Sequence, residues 1–536
     1  MGACCGSAST YGIPPEEIEG KYGPLASKFG SDVLIMSIKD QNVPGKLCFA
    51  GKMEPEMISA ITKCLQSDPN NASVVQEKDK YDAMWSYIWH NTSLTSGHST
   101  FSLAKSYFPR GKLVVKLLDT IAGFGWGLAS CPNMGGVQSR DDKGNVTSCV
   151  DWPIFTFYKE PQSEFLNEHL LFAVKDSNIP GKLCAAGPVG DMEARMVDAL
   201  KPWASDVKSE KDSYDDDYDV VWRNTSITSG IQMMSFAKKY FPKGHVQIAL
   251  LECAYKAGWR AVCAPNFGGQ GDSWPCYVFR KLKEPGPPPE LLFASIKDSN
   301  IPGKICVSGK SADRIVDATC GALAKIADNA SAHSEKDSYD DDHDAVCRDV
   351  HVTTGIQAFS FRTKYYPRGD SMKAMLGCWA AEGYQVVACP NFGGMLDSWP
   401  SFVLEKREAV PQPLFLAVKD DNWPGKVGLV GGDVASDSAL AADLLEVFTA
   451  LCGPDVVQQL DDYDRTYELA YRNTRLTTGR PKFTFAKPYW PHGYVMELML
   501  QVLYKKGWKA AGGPNFGDDG GTWPGIIFYP APANAV

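Results

Sequence analysis

The sequence predicts an α+β protein built from four tandem homologous domains of about 120 residues, each a largely antiparallel sheet packed with two or three helices. Three observations predict this fold class. The chain of 536 residues is too long for one hydrophobic core. Short landmarks recur four times in the same order, and each copy alternates strand-like with helix-like segments.

The repeat is clearest in the string KDSNIPGK, which occurs identically from Lys175 and from Lys297, with near copies from Lys39 and Lys419. Each copy continues with a Tyr-Asp pair, a Thr-(Ser/Thr)-Gly turn, an aromatic-Pro-basic-Gly corner, a Gly-aromatic pair, a Pro-Asn-(Phe/Met)-Gly step and Trp-Pro. Charged, proline-rich stretches between the copies are typical of semi-rigid linkers. The predicted domains are 31–160, 169–283, 290–407 and 412–531, after a lipid-anchor segment at 1–30.

Within one copy, the first two elements are predicted to be strands joined by a turn. In the second copy LLFAVKD and KLCAAG have strand-like composition, and SNIPG between them suits a type II turn. Proline presets φ at the second position of such a turn, and glycine accepts a positive φ at the third. Asp191 then predicts the N-cap of a helix whose apolar face is Met192, Met196 and Leu200.

The fourth copy shows the remaining elements. Tyr463, Tyr467 and Tyr471 recur at helical spacing, so a second helix is predicted to begin at the Tyr-Asp pair. FTFAKPYWP alternates like a strand, and YVMELMLQVLYKK predicts a helix that ends at Gly507. KAAGGPNF and IIFYP predict two closing strands, which gives the order β-β-α-α-β-α-β-β.

Charge and hydropathy weigh against two classes of protein, those that bind nucleic acid and those that span a membrane. The formal net charge of −9 disfavours nucleic acid as a partner, because phosphate contacts need a basic surface. The longest apolar runs are far shorter than the ~20 residues of a membrane-spanning helix. No signal-peptide pattern opens the sequence, so we expect a reducing compartment and free thiols among the 16 cysteines.

The N-terminus, MGACCGSAST, predicts a lipid anchor. Gly2 stands at the position of N-myristoylation, and Cys4 and Cys5 are placed for S-palmitoylation. The usual pattern has Ser or Thr at the sixth position, where this chain has Gly6. Two acyl chains anchor a protein stably, so the expected location is the cytoplasmic side of a membrane, held peripherally. The alternative is an unmodified flexible tail.

The repeated lysines, aspartates and tryptophans are the candidate ligand-binding residues. Lysines on both sides of a tight turn are able to hold an anionic ligand, and aromatic residues line many small-molecule pockets. The alternative is structural, since exposed turns concentrate these polar residues without any ligand and tryptophans are often core residues. The candidates are Lys39, Asp40, Lys46, Lys175, Asp176, Lys182, Lys297, Asp298, Lys304, Lys419, Asp420, Lys426, Trp152, Trp274, Trp399 and Trp523.

Two acidic runs, EKDSYDDDYD and EKDSYDDDHD, crowd carboxylates in the second and third copies. Oxygen-rich clusters suit Ca²⁺, although the spacing is not that of an EF-hand loop. Acidic residues are also favoured at a helix N-terminus without any metal. The candidate calcium ligands are Asp215, Asp217, Asp219, Asp340, Asp342 and Asp344, and no other cofactor is expected.

Catalytic patterns are weak in this sequence. No histidine occupies one position in all four copies, and His343 stands where the other copies have tyrosine or tryptophan. Three cysteines recur on an apolar strand and are predicted to be buried thiols rather than nucleophiles: Cys48, Cys184 and Cys306. Whether the protein is an enzyme stays open, and the balance is against it.

The leading hypothesis is a lipid-anchored, non-enzymatic adaptor or scaffold of four repeats that binds protein partners at the cytoplasmic face of a membrane. Repetition multiplies weak contacts through effective concentration, which benefits binding more directly than catalysis. The alternative is a small-molecule carrier with one pocket per repeat. A third hypothesis is an enzyme of unknown reaction.

Overall fold

The structure is a computed structural model of the chain. It describes residues 15–39, 45–78, 83–97, 107–134, 136–140, 146–148, 152–175, 181–213, 215–232, 238–269, 272–297, 303–355, 365–394, 397–419, 425–462, 464–479, 487–518 and 521–531. The predicted fold class is confirmed: the described residues form four antiparallel sheets of seven strands, repeated along the chain, each with its own helices. We call the repeats units 1 to 4.

Unit 1 contains α1 (Pro15–Phe29), β1 (Val33–Lys39), β2 (Gly45–Ala50), α2 (Pro55–Gln66), a 3₁₀ turn (Pro69–Asn71), β3 (Val75–Gln76), β4 (Tyr87–Thr92), β5 (Thr95–Gly97), β6 (Tyr107–Pro109), α3 (Gly111–Gly123), β7 (Trp126–Ser130), β8 (Asn133–Met134), β9 (Gly136–Arg140), β10 (Val146–Ser148) and β11 (Trp152–Lys159). Unit 2 contains β12 (Phe165–Lys175), β13 (Lys182–Ala186), α4 (Met192–Leu200), β14 (Lys208–Ser209), β15 (Val220–Arg223), β16 (Thr228–Gln232), β17 (Lys238–Pro242), α5 (Gly244–Lys256), β18 (Trp259–Cys263), β19 (Asn266–Gly269) and β20 (Asp272–Leu282).

Unit 3 contains β21 (Leu291–Lys297), β22 (Gly303–Ser308), α6 (Ala312–Leu323), a 3₁₀ turn (Ala327–Asn329), β23 (His333–Ser334), a second 3₁₀ turn (Ser338–Asp340), β24 (Ala345–Val350), β25 (Thr353–Gly355), β26 (Tyr365–Pro367), α7 (Gly369–Ala381), β27 (Tyr384–Ala388), β28 (Asn391–Gly394) and β29 (Asp397–Lys406). Unit 4 contains β30 (Leu414–Lys419), β31 (Lys426–Gly431), α8 (Ser438–Cys452), β32 (Val457–Gln458), β33 (Leu469–Arg472), β34 (Thr477–Gly479), β35 (Lys487–Pro491), α9 (Gly493–Lys505), β36 (Trp508–Gly512), β37 (Asn515–Asp518) and β38 (Gly521–Pro530).

All four main sheets have one strand order. In unit 2 it is β14-β15-β13-β12-β20-β18, and β19 pairs with the far end of β20. The first two strands form the predicted antiparallel pair, although residues 176–180 of the turn between them lie outside the described residues. Across this pair the two lysines of each KDSNIPGK motif lie directly opposite each other: Lys39 and Lys46, Lys175 and Lys182, Lys297 and Lys304, Lys419 and Lys426.

The first helix of unit 2 has the predicted apolar face, and Met192, Met196 and Leu200 are buried. Asp191 precedes this helix but its side chain makes no capping hydrogen bond, so that detail of the prediction is wrong. The end of α9 agrees with the prediction, because Gly507 follows the helix with φ at 85° and accepts the left-handed conformation without a Cβ clash.

The second helix predicted from the Tyr-Asp pair is wrong. The segment is a turn followed by strand β33, which pairs with β31. Tyr467 and Tyr471 are both buried, but they contact different layers: the Tyr467 hydroxyl donates to the carbonyl of Pro367 in unit 3, and that of Tyr471 to the carbonyl of Ala441 in α8. A strand covered on both faces loses the polar alternation that identifies a strand.

Each sheet is covered on both faces because neighbouring units dock on one another. One face is covered by two helices of the unit, which we call its first and second helix: α2 and α3, α4 and α5, α6 and α7, and α8 and α9, with α1 an addition to unit 1. The second helix of the preceding unit packs on the first strand of the sheet. Thus α3 packs on β12, α5 on β21 and α7 on β30. Helix α9 of unit 4 packs on β1 of unit 1, so the four units close into a ring.

All four junctions have a glycine at the start of the second helix, where the following unit approaches the helix too closely for a side chain. A Cβ on Gly111 or Gly369 would lie 2.7 Å from the Tyr218 ring or 2.4 Å from the Thr466 carbonyl oxygen. At three junctions the residue after this glycine donates a backbone hydrogen bond to a carbonyl of the following unit, and the three carbonyls occupy aligned positions. The pairs are Lys112 with Asp217, His245 with Asp342 and Tyr494 with Met84. We call the contact between units 4 and 1 the closing junction.

Helix α1 strengthens the closing junction. The Tyr22 ring stacks on the Tyr494 ring of α9 with centroids 4.0 Å apart, and its hydroxyl donates to Glu497 at 3.1 Å. The Gln501 side chain accepts from the Asp32 and Val33 amides and donates to the Phe29 carbonyl. Strand β9 of unit 1 adds a further contact by pairing with β35 of unit 4.

Two further findings concern the covalent and membrane-related predictions. Cys320 and Cys347 form a disulfide in unit 3, so the expectation of free thiols is wrong for this pair. The two cysteines are 27 residues apart, and no local sequence pattern indicates their pairing. Among the described residues, no helix combines the length and the apolar character needed to cross a bilayer.

We predict that Gly493→Ala weakens the closing junction. The added Cβ would lie 2.6 Å from the Met84 carbonyl oxygen, and overpacking of this kind costs about 2 kcal/mol. Gly321→Ala in α6 is the matched control, because nothing lies within 4 Å of its Cβ position, and it should stabilise by about 0.5 kcal/mol. Thermal unfolding of both variants tests the contrast, and equal midpoints would contradict it.

We also predict that stability falls with rising pH in a way that depends on Glu497. Burial of this carboxyl raises its pKa to about 8 in the folded chain, above the ordinary value of 4.5. The folded state therefore binds the proton more tightly, and stability falls as pH rises from about 4.5 to about 8. Glu497→Gln should keep the Tyr22 contact and flatten the unfolding temperature between pH 6 and about pH 8. Glu446→Gln, at an exposed carboxylate of α8, should keep the wild-type slope.

Candidate functional site

The repeated lysine and Tyr-Asp motifs meet in one cluster per unit, which we call the Lys-Asp-Arg cluster. In unit 2 the Lys182 ammonium lies 2.7 Å from Asp215, and the Arg223 guanidinium lies 2.8 Å from the other carboxylate oxygen. Asp215 is fully buried, while its two basic partners keep about a fifth of their side chains in solvent. A buried carboxylate is tolerated when it is paired and hydrogen-bonded in this way.

The cluster recurs with small changes. In unit 3 Asp340 is fully buried and accepts from Lys304 and Arg348. In unit 4 Lys426 lies 2.8 Å from Asp464 and 3.0 Å from Asp461, and Arg472 lies 2.7 Å from Asp461. In unit 1 Lys46 occupies the same strand position, and the aligned aspartate lies outside the described residues.

The lysine that opens each motif has a different environment. The Lys297 ammonium lies 4.9 Å from the Phe241 ring centroid of unit 2 and 5.5 Å from the Trp399 centroid of its own unit. These distances are in the range of cation–π attraction. Lys39, Lys175 and Lys419 lie at the equivalent strand ends. The following aspartates lie outside the described residues: Asp40, Asp176, Asp298 and Asp420.

The Trp-Pro tryptophans contact the preceding unit. Trp274, Trp399 and Trp523 are each 1% exposed. Each makes an edge-to-face contact with the corner aromatic of the preceding unit, with centroids at 4.4, 4.6 and 4.2 Å for the pairs Phe108–Trp274, Phe241–Trp399 and Tyr366–Trp523. Trp152 begins β11, and its side chain lies outside the described part. The geometry of the three described rings is that of core residues at a domain interface.

The candidate calcium ligands form hydrogen bonds and ion pairs with protein groups in different places. Asp217 accepts from Arg110 of unit 1 at 2.9 Å, and Asp344 lies 2.9 Å from His245 of unit 2. Asp219 accepts from the Gly187 amide, and the Asp342 carbonyl accepts from the His245 amide. Within the described residues, no three acidic, histidine or cysteine side chains are grouped so that they could hold a metal ion. The geometry therefore gives the calcium hypothesis no support.

The remaining polar candidates are held in the interior. His343 occupies the place of Tyr218 and Tyr467 between units 2 and 3, and burial together with nearby Lys297 lowers its pKa to about 3. The recurring cysteines are buried as predicted, and burial raises the pKa of Cys306 to about 12. Gly2, Cys4 and Cys5 lie outside the described residues.

Sequence reasoning missed the junction residues. The aromatic-Pro-basic-Gly corner recurs four times and was a visible signal, but its glycine matters only because the next unit approaches it closely. Likewise, an acidic residue four positions after the Tyr-Asp pair contacts the second helix of the preceding unit at three junctions. The pairs are Lys112–Asp219, His245–Asp344 and Lys373–Glu468. These partners are about 100 residues apart in the sequence.

Comparison of the chain with protein-family models, with curated proteins and with solved structures finds no match.

We predict that Asp215→Ala destabilises the protein by roughly 2–3 kcal/mol. The change leaves Lys182 and Arg223 without their buried carboxylate, and the cost is below that of a fully buried pair because water reaches both basic groups. Asp216→Ala changes the exposed neighbouring carboxylate and should cost less than about 0.5 kcal/mol. Denaturant unfolding compares the two, and a similar loss for both would argue against the cluster.

Proposed function

We propose that the chain is a lipid-anchored, non-enzymatic scaffold of four repeats that binds protein partners at the cytoplasmic face of a membrane. The observation that carries the proposal is the ring, in which equivalent head-to-tail junctions give every unit the same relation to its neighbours. A ring of four homologous units presents four related outer surfaces. Multivalent display raises the effective concentration of weakly bound partners.

The contacts of the candidate ligand residues favour a scaffold over a small-molecule carrier. Lys182, Lys304 and Lys426 are paired with aspartates of their own unit. The Trp-Pro tryptophans described are buried against the preceding unit. Folding and docking thus account for why these motifs recur, without an appeal to a ligand in each unit.

The position of α1 supports the anchor. This helix begins at Pro15, shortly after the predicted acylation sites, and the closing junction holds it through Tyr22 and through Lys505, which donates to the Lys28 carbonyl at 2.8 Å. A membrane-bound N-terminus would therefore hold the ring through a helix that is itself part of the folded structure.

We predict that Gly2→Ala abolishes membrane binding. Chain produced in eukaryotic cells should float with liposomes, and the variant should lose at least about tenfold of the floated fraction, because palmitoylation at Cys4 and Cys5 follows stable membrane contact. Gly20→Ala is the matched control, since its Cβ position in α1 is open, and it should float like the wild type. Incorporation of an alkynyl myristate analogue identifies the acyl group. Equal flotation of both variants would contradict the anchor.

Native mass spectrometry of the purified chain separates the scaffold from the carrier. The scaffold predicts the mass of the chain plus its acyl groups. Up to four copies of one small molecule per chain would favour the carrier instead.

A further inference from the structure

Unit 3 holds its first helix to its sheet by a covalent bond. Cys320 in α6 and Cys347 on β24 form a disulfide, with Cα atoms 5.9 Å apart. Cys347 is fully buried, whereas Cys320 keeps 6% of its surface exposed. The bond therefore lies between the first helix and the sheet, inside the core of a single unit.

The other three units carry an aromatic residue at the position of Cys347, and each ring donates a hydrogen bond to the first helix of its unit. The indole of Trp89 donates to Thr62 at 2.8 Å, and that of Trp222 to the Glu193 carbonyl at 3.0 Å. The Tyr471 hydroxyl donates to the Ala441 carbonyl at 3.0 Å. The hydrogen bond of units 1, 2 and 4 is thus replaced by a disulfide in unit 3.

A compensating change fills the space that the smaller cysteine leaves. Trp379 of α7 stands where the aligned residues of the other units are aliphatic, and its indole donates to Thr319 at 3.0 Å, one residue before Cys320. It packs edge-to-face on Phe402 with centroids 5.4 Å apart. Trp379 supplies the bulk and the hydrogen bond, so the core of unit 3 is filled whether the cysteines are bonded or reduced.

We propose that Cys320 and Cys347 form a redox-sensitive tie that is closed as a disulfide and opened by low-molecular-weight thiols. In a reducing compartment, disulfides are mostly transient and redox-sensing. The inference does not depend on membrane anchoring, and its failure would leave the proposed scaffold function untouched.

The exchange follows ordinary thiol–disulfide chemistry. A thiolate attacks the Cys320 sulfur, which is the more exposed one, the protein S–S bond breaks, and Cys347 leaves as a thiolate that takes a proton. A second thiol attacks the mixed disulfide and releases Cys320 as a thiol. In sum, one protein disulfide and two thiols give one protein dithiol and one oxidised thiol dimer.

Opening the tie should loosen α6 selectively. The helix then keeps its hydrogen bond from Trp379 of α7 but loses its direct bond to the sheet, while α2, α4 and α8 keep hydrogen bonds from an aromatic residue of their own sheet. The three other units are therefore internal controls within the same chain. The Cys320→Ser/Cys347→Ser double variant provides an external control, because it fixes the open state.

The test uses the full chain, purified without reductant and compared before and after treatment with glutathione. Alkylation followed by peptide mass analysis should label Cys320 and Cys347 only after treatment. Hydrogen exchange in α6 should then become severalfold faster, with α2, α4 and α8 unchanged. The double-serine variant should show the faster exchange in α6 from the start and no response to glutathione.

Four results would overturn the proposal. Alkylation of both cysteines before reduction would mean that the tie is not formed. Resistance of the folded chain to glutathione would make it a permanent bond. Unchanged exchange in α6 would remove the conformational response, and a response of the double-serine variant would place the redox chemistry elsewhere.

Discussion

The docking of each second helix on the sheet of the following unit is the contact on which the rest of the structure depends. A sheet with two apolar faces needs a cover on both, and one unit supplies helices for only one of them. The preceding unit supplies the other cover, so a unit taken from the ring would expose an apolar face. Closure after four units gives the first sheet the same cover as the others, from α9.

Close approach at the junctions explains the repeated corner glycine, and charge pairing explains the repeated acidic segment. Asp215 and its counterparts are paired with basic residues of their own unit, and neighbouring acidic residues reach the preceding helix. A one-residue slip of the strand that carries Lys182 would turn its side chain to the other face and leave Asp215 buried without that partner. The Lys-Asp-Arg clusters thus fix the register of the strands that contact the neighbouring unit. These clusters recur because the junction recurs.

Much of the unit could be predicted from the sequence because it depends on local signals. The strand pair around each Pro-Gly turn and the end of α9 at Gly507 follow from turn and cap chemistry. The segment after Tyr463 was mistaken for a helix because a strand covered on both faces has no polar alternation. Pairings between residues distant in sequence, such as Lys182 with Asp215, leave no trace in a local pattern. The same limitation hid the ring and the disulfide, since both join segments that only the fold brings together.

The closing junction differs from the other three, and the differences occur where the two ends of the repeat array meet. Helix α1 and the pairing of strand β9 with β35 add contacts there. A junction between units that are consecutive in the chain is also held by their linker, whereas the closing junction joins units that no linker connects directly. Additional noncovalent contacts at the closing junction therefore have to offset the entropy cost of bringing units 4 and 1 together, which a short linker reduces at the other junctions. On this argument α1 and β9 of unit 1 compensate for the linker that the closing junction lacks.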